Sequence, residues 1–200
     1  MRPLSIPGAW LHTPAVYPDP RGTFHELYRA EVFSRATGNR FELAQANVSV
    51  SRRGVLRGIH YAEVPPGQAK YVACLRGAVF DVTVDLRTGS PSYGRCEAVR
   101  LDATNRRTLY LAEGLGHAFL ALEDHTTVMY LCSEGYEPER EHGIHPLDPQ
   151  LAIDWPRDVP FLMSDKDAAA PTLREADRAG TLPSLAACLA YSVSPAERNC

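Results

Sequence analysis

Apolar and polar residues alternate with a period of two along much of the middle of the chain. The clearest case is AVFDVTVDL, residues 78–86, where four apolar side chains fall on one face and Asp81, Thr83 and Asp85 on the other. This period is typical of a β-strand, and it predicts a half-buried strand with one apolar face and one polar face. The turn-forming sequence TGSP follows and ends the strand.

Similar short runs, separated by turn-forming residues, predict further strands. The segment 57–72 has Pro65, Pro66 and Gly67 near its middle, which predicts two strands joined by a loop. The other predicted strands are 44–51, 96–101, 107–111, 117–122 and 127–133. Helical pattern occurs near the two ends, at 31–37 and at 172–180, where Thr172 is a candidate N-cap. The pattern therefore predicts an all-β fold, a double-sheet jelly-roll barrel with short flanking helices.

Side-chain parity along these strands predicts a polar barrel interior. Gln45 and Asn47 share a face with two serines in the strand at 44–51, and His117 shares a face with Phe119 in the strand at 117–122. A polar group that points into a small barrel loses hydration unless a partner satisfies it. Such an interior, to which Tyr130 also contributes, predicts a ligand cavity rather than a dry core.

Length and composition narrow the class of protein. The 200 residues suit one domain, with 44% hydrophobic and 22% charged residues, and the net charge of −3 favours neither nucleic acid nor an anionic membrane as a partner. The five cysteines are widely spaced without a Cys-x-x-Cys, so neither a disulfide framework nor a zinc site is expected. With no apolar run of about 18 residues and no signal-like start, the expected location is the cytoplasm.

Several kinds of functional site are not supported by the motifs. Metal sites in cupin-type jelly rolls usually need two histidines at i and i+2 on one strand face, but Tyr61 and Ala62 follow His60. We therefore expect no metal and no cofactor. The run GLGHAF, residues 114–119, has Phe119 where a dinucleotide fingerprint has its last glycine, and a strand rather than a helix follows. Neither a Walker A loop nor a Gly-x-Ser-x-Gly elbow is present.

Acid–base chemistry is the remaining interpretation. Taken singly, a histidine in a strand is more often structural, and a strand tyrosine more often belongs to the core. Taken together, six side chains fit a proton-transfer site: Arg21, His60, Lys70, His117, Tyr130 and Asp167.

The order of several motifs resembles one known family. The segments that carry the resemblance are DPRGTFHELYR (19–29), QANVSVSRRGVLRGIHY (45–61), PPGQAKYVACLRGAVFDVTVDLRTGSPSYG (65–94), EGLGHAFLAL (113–122), TTVMYLCSEGYEPEREHGIHPLDPQLAIDWP (126–156) and SDKDAAAPTL (164–173). From Pro3 to about Pro183 the chain resembles the dTDP-4-dehydrorhamnose 3,5-epimerases. The resemblance implies a single cupin-type jelly-roll domain over 1–183, with a C-terminal tail at 184–200 outside it. It also implies a metal-independent homodimer that acts on a dTDP-linked 4-keto-6-deoxy sugar.

The resemblance also implies roles for individual residues. His60 matches the catalytic base of the family, Asp167 the carboxylate that orients it, Tyr130 the proton donor and Lys70 the cation near the C4 oxygen. The positions that match nucleotide- and sugar-binding residues are Arg21, Phe24, Glu26, Gln45, Asn47, Arg57, His117, Tyr136 and Glu141.

The reaction suits these residue types. A C4 ketone acidifies the hydrogens on C3 and C5, and a histidine is a suitable base for such a proton. Inversion also requires a proton from the opposite face. Double 3,5-epimerisation, C3-only inversion and C5-only inversion all remain open, because VPPGQA (64–69) is closer to the antibiotic-sugar branch of the family. A non-catalytic sugar-nucleotide-binding jelly roll and a metal-dependent cupin enzyme are the alternatives from other classes.

One local feature conflicts with an ideal strand. Arg57 and His60 have opposite parity, so a regular strand could not direct both side chains into one pocket. Gly58, between them, is therefore a candidate position for a β-bulge.

Overall fold

The computed structural model describes residues 1–192, whose strands pair antiparallel in three sheets. The strands are β1 (Arg2–Pro3), β2 (Ala9–His12), β3 (Val16–Asp19), β4 (Gly22–His25), β5 (Gln45–Ser51), β6 (Leu56–Ala62), β7 (Lys70–Arg76), β8 (Ala78–Asp85), β9 (Cys96–Asp102), β10 (Thr108–Leu111), β11 (Leu115–Ala121), β12 (Thr126–Cys132) and β13 (Glu141–Gly143). The helices are α1 (Ala30–Thr37), α2 (Asp165–Ala168), α3 (Leu173–Ala179) and α4 (Leu185–Ser192).

Two of the sheets form the layers of a jelly roll. The larger has the strand order β1-β2-β10-β7-β12-β5, the smaller has the order β13-β6-β11-β8-β9, and β3 and β4 form a separate hairpin. The predicted double-sheet, all-β fold is therefore confirmed. Each predicted strand and both predicted helices are present, and Thr172 caps α3 by accepting a hydrogen bond from the backbone of Glu175. Strands β1 to β4 and β13 and helices α2 and α4 were not predicted.

The interior between the two sheets is divided into an apolar part and a polar part. Val72, Leu109 and Val128 of the larger sheet pack against Val79 and Leu101 of the smaller one. The rest of the interior is lined by polar side chains and remains open. The apolar part thus holds the sheets together, and the polar part is available for a ligand.

Strand β8 differs from the predicted half-buried strand. Its apolar face packs outward under the C-terminal segment, where Phe80 contacts Trp155, and its polar face points into the barrel. Asp81, Thr83 and Asp85 are each completely buried. The expectation of a half-buried strand was wrong, because residues 144–176 cover the outer, apolar face and the polar face lies inside the barrel.

The C-terminal segment continues onto the barrel. The backbone of Leu185 donates to the carbonyl of Thr88, and Cys188 of α4 is buried. The rest of the tail, residues 193–200, lies outside the described residues, and the boundary at 183/184 stays a prediction. Among residues 1–192, no helix is long and apolar enough to cross a bilayer.

Candidate active site

A bulge in β6 directs Arg57 and His60 into the same space. His117 of β11 pairs with His60, whereas Phe119 pairs with Arg57, so two residues of β11 span three of β6. The extra residue is accommodated at Gly58, which has a φ of +104°. A Cβ atom there would lie 2.5 Å from the carbonyl oxygen of His117, so this backbone approach needs glycine. The predicted bulge is confirmed.

The polar part of the interior is a cavity of about 400 Å³. Strands β5, β7 and β12 form one wall, β6 and β11 form the facing wall, and helix α2 lies at the edge. The structure brings ten of the predicted site residues to this cavity: Gln45, Asn47, Arg57, His60, Lys70, His117, Tyr130, Tyr136, Glu141 and Asp167.

His60 and Asp167 form a hydrogen-bonded pair on one side of the cavity. The Nε2 atom of His60 lies 2.7 Å from Oδ1 of Asp167, which is buried. The short helix α2 fixes the carboxylate, because Ser164 caps it by accepting from the Asp167 backbone N–H. Burial alone would raise the pKa of Asp167, but the hydrogen bond and charge of His60, with hydrogen bonds from Ser164 and the Gly58 backbone, hold that pKa below its usual value. An ionised Asp167 accepts Nε2–H and leaves Nδ1 of His60 to accept a proton.

Lys70 is a buried cation on the facing wall. Its side chain begins β7 and is only 8% exposed. Burial lowers the pKa of Lys70, and the neighbouring Cys132 and Glu141 partly oppose this shift. No carboxylate of residues 1–192 lies within ion-pairing distance of its ammonium. This position suits an anionic or strongly polarised oxygen of a ligand.

Tyr130 lies on the same wall as Lys70 and faces the wall that holds His60. It belongs to β12 of the larger sheet, whereas His60 belongs to β6 of the smaller one. Burial raises the pKa of Tyr130, with Cys132 and Glu141 adding to the shift and Arg57 opposing it. The phenol is therefore protonated at neutral pH, and a base and a proton donor stand on opposite walls.

His117 is held by a partner that the sequence analysis did not include. Its Nε2 atom lies 2.9 Å and 3.0 Å from the two carboxylate oxygens of the completely buried Asp81. Burial raises the pKa of Asp81, and the charge and hydrogen bond of His117 oppose the rise. Parity in 78–86 had placed Asp81 on the polar face, but only the strand pairing shows which residue it meets.

Other cavity residues were also missed. Gln68 donates from Nε2 to the carbonyl of Glu134 at 3.1 Å and to Oε1 of Glu141 at 3.3 Å, which ties the loop after β12 to the site. Lys166, two residues after the Ser164 cap, adds a third cation to the lining, after Arg57 and Lys70. The sequence signal that could have identified Lys166 was its position in the motif SDKD, residues 164–167. The remaining unpredicted lining residues are Ser49, Phe119, His142 and Ser164. Within residues 1–192, no three His, Cys, Asp or Glu side chains converge as a metal-binding group.

Comparison with known proteins gives the family. The model of the family described as dTDP-4-dehydrorhamnose 3,5-epimerase matches residues 3–175. The chain belongs to this epimerase family. It is 57% identical to a dTDP-4-dehydro-6-deoxyglucose 3-epimerase of a Streptomyces species, over 92% of this chain and 93% of the relative. It is 54% identical to the dTDP-4-dehydrorhamnose 3,5-epimerase of Mycolicibacterium smegmatis, over 99% and 97%.

A solved structure of the family matches this fold closely. ChmJ, a 3'-monoepimerase from Streptomyces bikiniensis in complex with dTDP-quinovose, superposes with a TM-score of 0.93 at 54% identity, over 96% of this chain and 97% of that one. The similarity therefore extends over the whole jelly roll, including the strands that build the cavity.

Three predicted ligand-binding residues of this epimerase-family chain do not line the cavity. Arg21, Phe24 and Glu26 lie on or next to the β3–β4 hairpin, which projects from the barrel. The side chain of Arg21 is 90% exposed and pairs with Asp19, and Phe24 is 64% exposed. Glu26 borders a different cavity, of about 180 Å³, together with His12. Within one chain, the hairpin does not bring these residues to the site.

Proposed function

We propose that this protein epimerises a dTDP-linked 4-keto-6-deoxyhexose at C3, through an enolate next to the C4 ketone. The supporting observation is the arrangement of base and acid: the His60–Asp167 pair faces Tyr130 across the cavity, with the buried Lys70 on the wall of Tyr130. The protein is thus an isomerase that acts on carbohydrates.

The first step is removal of the C3 proton. Nδ1 of His60 accepts this proton, and the ionised Asp167 stabilises the imidazolium that forms. The electron pair moves onto the C4 oxygen, where the ammonium of Lys70 stabilises the new negative charge. One preorganised group of this kind typically contributes about 10²–10³ in rate.

The second step returns a proton to the opposite face of C3. Tyr130 is protonated and lies on the wall opposite His60, which meets the stereochemical requirement for inversion. The enolate collapses to the ketone as the phenol donates its proton. Return of the same proton by His60 would restore the original configuration, so two groups are needed.

Inversion at C5 is the secondary part of the proposal. Similar relatives include both 3-epimerases and 3,5-epimerases, so overall identity does not choose between them. Serving C5 with the same base requires a second pose of the sugar ring. We expect exchange at C3 in either case and slower or absent exchange at C5.

Proton exchange with solvent tests the reaction. The keto-sugar nucleotide is incubated with the enzyme in deuterated water, and NMR reads label at C3 and C5. Wild type and a His145→Asn control, whose histidine lies outside the cavity, should incorporate deuterium at C3. His60→Ala should be slower by a factor of about 10²–10⁴. Binding without exchange would support the non-catalytic alternative, and label at C5 alone would show that C3 is the wrong carbon.

The same assay addresses the metal-dependent alternative. We expect the exchange rate to be unchanged after EDTA treatment, because the cavity histidines His60, His117 and His142 each pair with a single carboxylate. Loss of exchange that one divalent ion restores would contradict this expectation.

A homodimer completes the proposed site. The outer face of the larger sheet exposes Val48, Val50 and Leu75, at 63%, 61% and 47%, and an apolar face of this kind is typical of a protein interface. A two-fold dimer through this face offers a place for the β3–β4 hairpin against the partner. Arg21 and Phe24 would then reach the dTDP group in the partner's cavity.

Complementation between two inactive chains tests this dimer. Arg21→Ala and His60→Ala protomers are each impaired, but a mixed dimer contains one cavity with His60 and the partner's Arg21 intact. About half of the dimers should be mixed, and each mixed dimer has one complete site out of two. About a quarter of wild-type activity should therefore return at low substrate concentration. No recovery on mixing, or a monomer in sedimentation, would contradict the shared site.

A cytoplasmic location belongs to the same proposal. Its support is that three buried or half-buried cysteines, Cys74, Cys96 and Cys132, form no disulfide among residues 1–192, since oxidising compartments favour disulfides. Cell fractionation tests the location directly.

A further inference from the structure

One buried hydroxyl of the cavity wall lacks a hydrogen-bond partner among residues 1–192. On the inward face of β5, Gln45 donates to Asn47 at 2.8 Å, Asn47 contacts the sulfur of Cys132 at 3.8 Å, and Ser51 accepts from Nε of Arg57 at 3.3 Å. Ser49 is the exception. Its Oγ atom is buried and bonds to none of residues 1–192, although the residue lines the cavity.

An unpaired hydroxyl at this place is informative because burial without a partner is unfavourable. Ser49 and Ser51 are separated by about 7 Å along the same strand face. Arg57 donates to Ser51 and lines the same cavity as Ser49. Its guanidinium suits the diphosphate, so a diphosphate held by Arg57 would bring C1 and C2 of the hexose toward Ser49.

The chemistry of the proposed substrate leaves few candidates for that partner. In a 4-keto-6-deoxyhexose, C1 carries the diphosphate, C4 is a ketone, C6 is a methyl group and the C5 oxygen closes the ring. Only the C2 and C3 hydroxyl groups remain. The C3 hydroxyl changes its orientation during inversion, so a fixed strand residue could serve it in only one epimer. The C2 hydroxyl keeps its configuration and neighbours C1.

We propose that the Ser49 side chain turns into the cavity when substrate binds, that its hydroxyl then binds the C2 hydroxyl group of the hexose, and that this contact distinguishes the sugar from its 2-deoxy counterpart. The inference rests on the proposed substrate class and adds a specificity-determining residue to it. Ser49 takes no part in proton transfer. It contributes a hydrogen bond in the ground state and in the transition state alike, so its loss raises KM more than it lowers kcat.

Binding of two unreactive ligands tests the proposal. Calorimetry compares dTDP-6-deoxyglucose with dTDP-2,6-dideoxyglucose, which differ only in the C2 hydroxyl. Wild type should bind the first about 3- to 10-fold more tightly, as expected for one neutral hydrogen bond in a closed site. Ser49→Ala should bind both with equal affinity, and Ser49→Cys should give an intermediate ratio.

The matched control is Thr83→Val. The Thr83 hydroxyl is the other buried hydroxyl without a hydrogen-bond partner among residues 1–192, but Thr83 does not line the cavity. This variant should keep the wild-type ratio. Thermal unfolding of Ser49→Ala should not fall, because the change removes an unsatisfied group.

The outcomes separate this inference from the proposed function. If wild type binds both ligands equally, or if Ser49→Ala keeps the wild-type ratio of affinities, Ser49 does not bind the C2 hydroxyl. Deuterium exchange at C3 would still support the epimerase in that case. If wild type binds neither ligand, the inference and the proposed substrate class both fail.

Discussion

The Asp167 carboxylate shows how one residue depends on the others of its site. Its pKa is low despite burial because His60, Ser164 and the Gly58 backbone all favour the ionised form. In Asp167→Asn the amide accepts a hydrogen bond less strongly and cannot stabilise the imidazolium. We expect kcat to fall by about 10²-fold or more, with a much smaller change in KM, as measured by steady-state kinetics. Unchanged kcat would show that another group orients His60.

The same residue makes a pH-dependent contribution to stability. Because the folded-state pKa of Asp167 is lowered, its contribution is fully present above the unfolded-state pKa of about 3.9 and is lost as the pH falls through the folded-state pKa. Between about pH 5 and pH 7 the pH is well above both pKa values. In this range the free energy of unfolding of wild type should exceed that of Asp167→Asn. The difference should narrow below about pH 4 in denaturant titrations. A constant difference down to about pH 3 would contradict this assignment.

Lys70 is expected to favour function at the expense of stability. Its ammonium is buried without a carboxylate partner among residues 1–192, so Lys70→Met should raise the free energy of unfolding by about 1–3 kcal/mol at pH 7 while the exchange rate falls. Because the folded-state pKa of Lys70 is lowered, the cost of burying its charge is present below that pKa and is relieved as the pH rises toward the unfolded value. The stability gain should therefore shrink in alkaline solution. A destabilised Lys70→Met would instead indicate that the ammonium is well solvated.

At the residue scale, the sequence identified side chains better than their partners. His60 and Asp167 were paired through the family resemblance, and the structure places them 2.7 Å apart. Asp81 was assigned only to a face, because parity tells which way a side chain points and not what it meets. Ser49 was likewise assigned to a face. Its lack of a hydrogen-bond partner among residues 1–192 is a property of the packed structure.

The bulge in β6 is the local element on which the site depends. Gly58→Ala would force a Cβ to within 2.5 Å of the His117 carbonyl at a positive φ. We expect destabilisation by roughly 2 kcal/mol or more and loss of exchange activity, because His60 would shift with the strand. Gly89→Ala is the matched control, since Gly89 also has a positive φ, of +81°, but has nothing within 4 Å of its added Cβ. Equal effects of the two variants on unfolding would contradict the close-packing argument.

At the element scale, periodicity predicted the strands but not their surroundings. Alternation in 78–86 correctly gave β8, yet it could not show that both faces are covered. The outer cover comes from residues far along the chain, such as Trp155. The β3–β4 hairpin was missed for a different reason: its strands are exposed and contain Pro18, so they lack the alternation that marks a buried strand.

At the scale of the whole molecule, the jelly roll brings together groups that are distant in sequence. His60 and Asp167 are 107 positions apart, and Tyr130 reaches the site from the other sheet. The number and spacing of the strands were sufficient to predict a double-sheet barrel. They were insufficient to place Arg21, Phe24 and Glu26, because strand number and spacing do not determine where a projecting hairpin lies relative to the cavity.

The enclosure of β8 also has a consequence for the dynamics of the fold. This strand is hydrogen-bonded on both edges, to β11 and β9, and seven of its eight side chains are buried between the polar interior and the C-terminal cover. Its amide hydrogens can reach water only when the barrel opens as a unit, so native-state hydrogen exchange should report the global free energy of unfolding at Val82 and Val84. The exposed hairpin amides, at Thr23 for example, should exchange through small local fluctuations. If the amide hydrogens of β8 exchanged as fast as those of the hairpin, the barrel would open strand by strand and not as a unit.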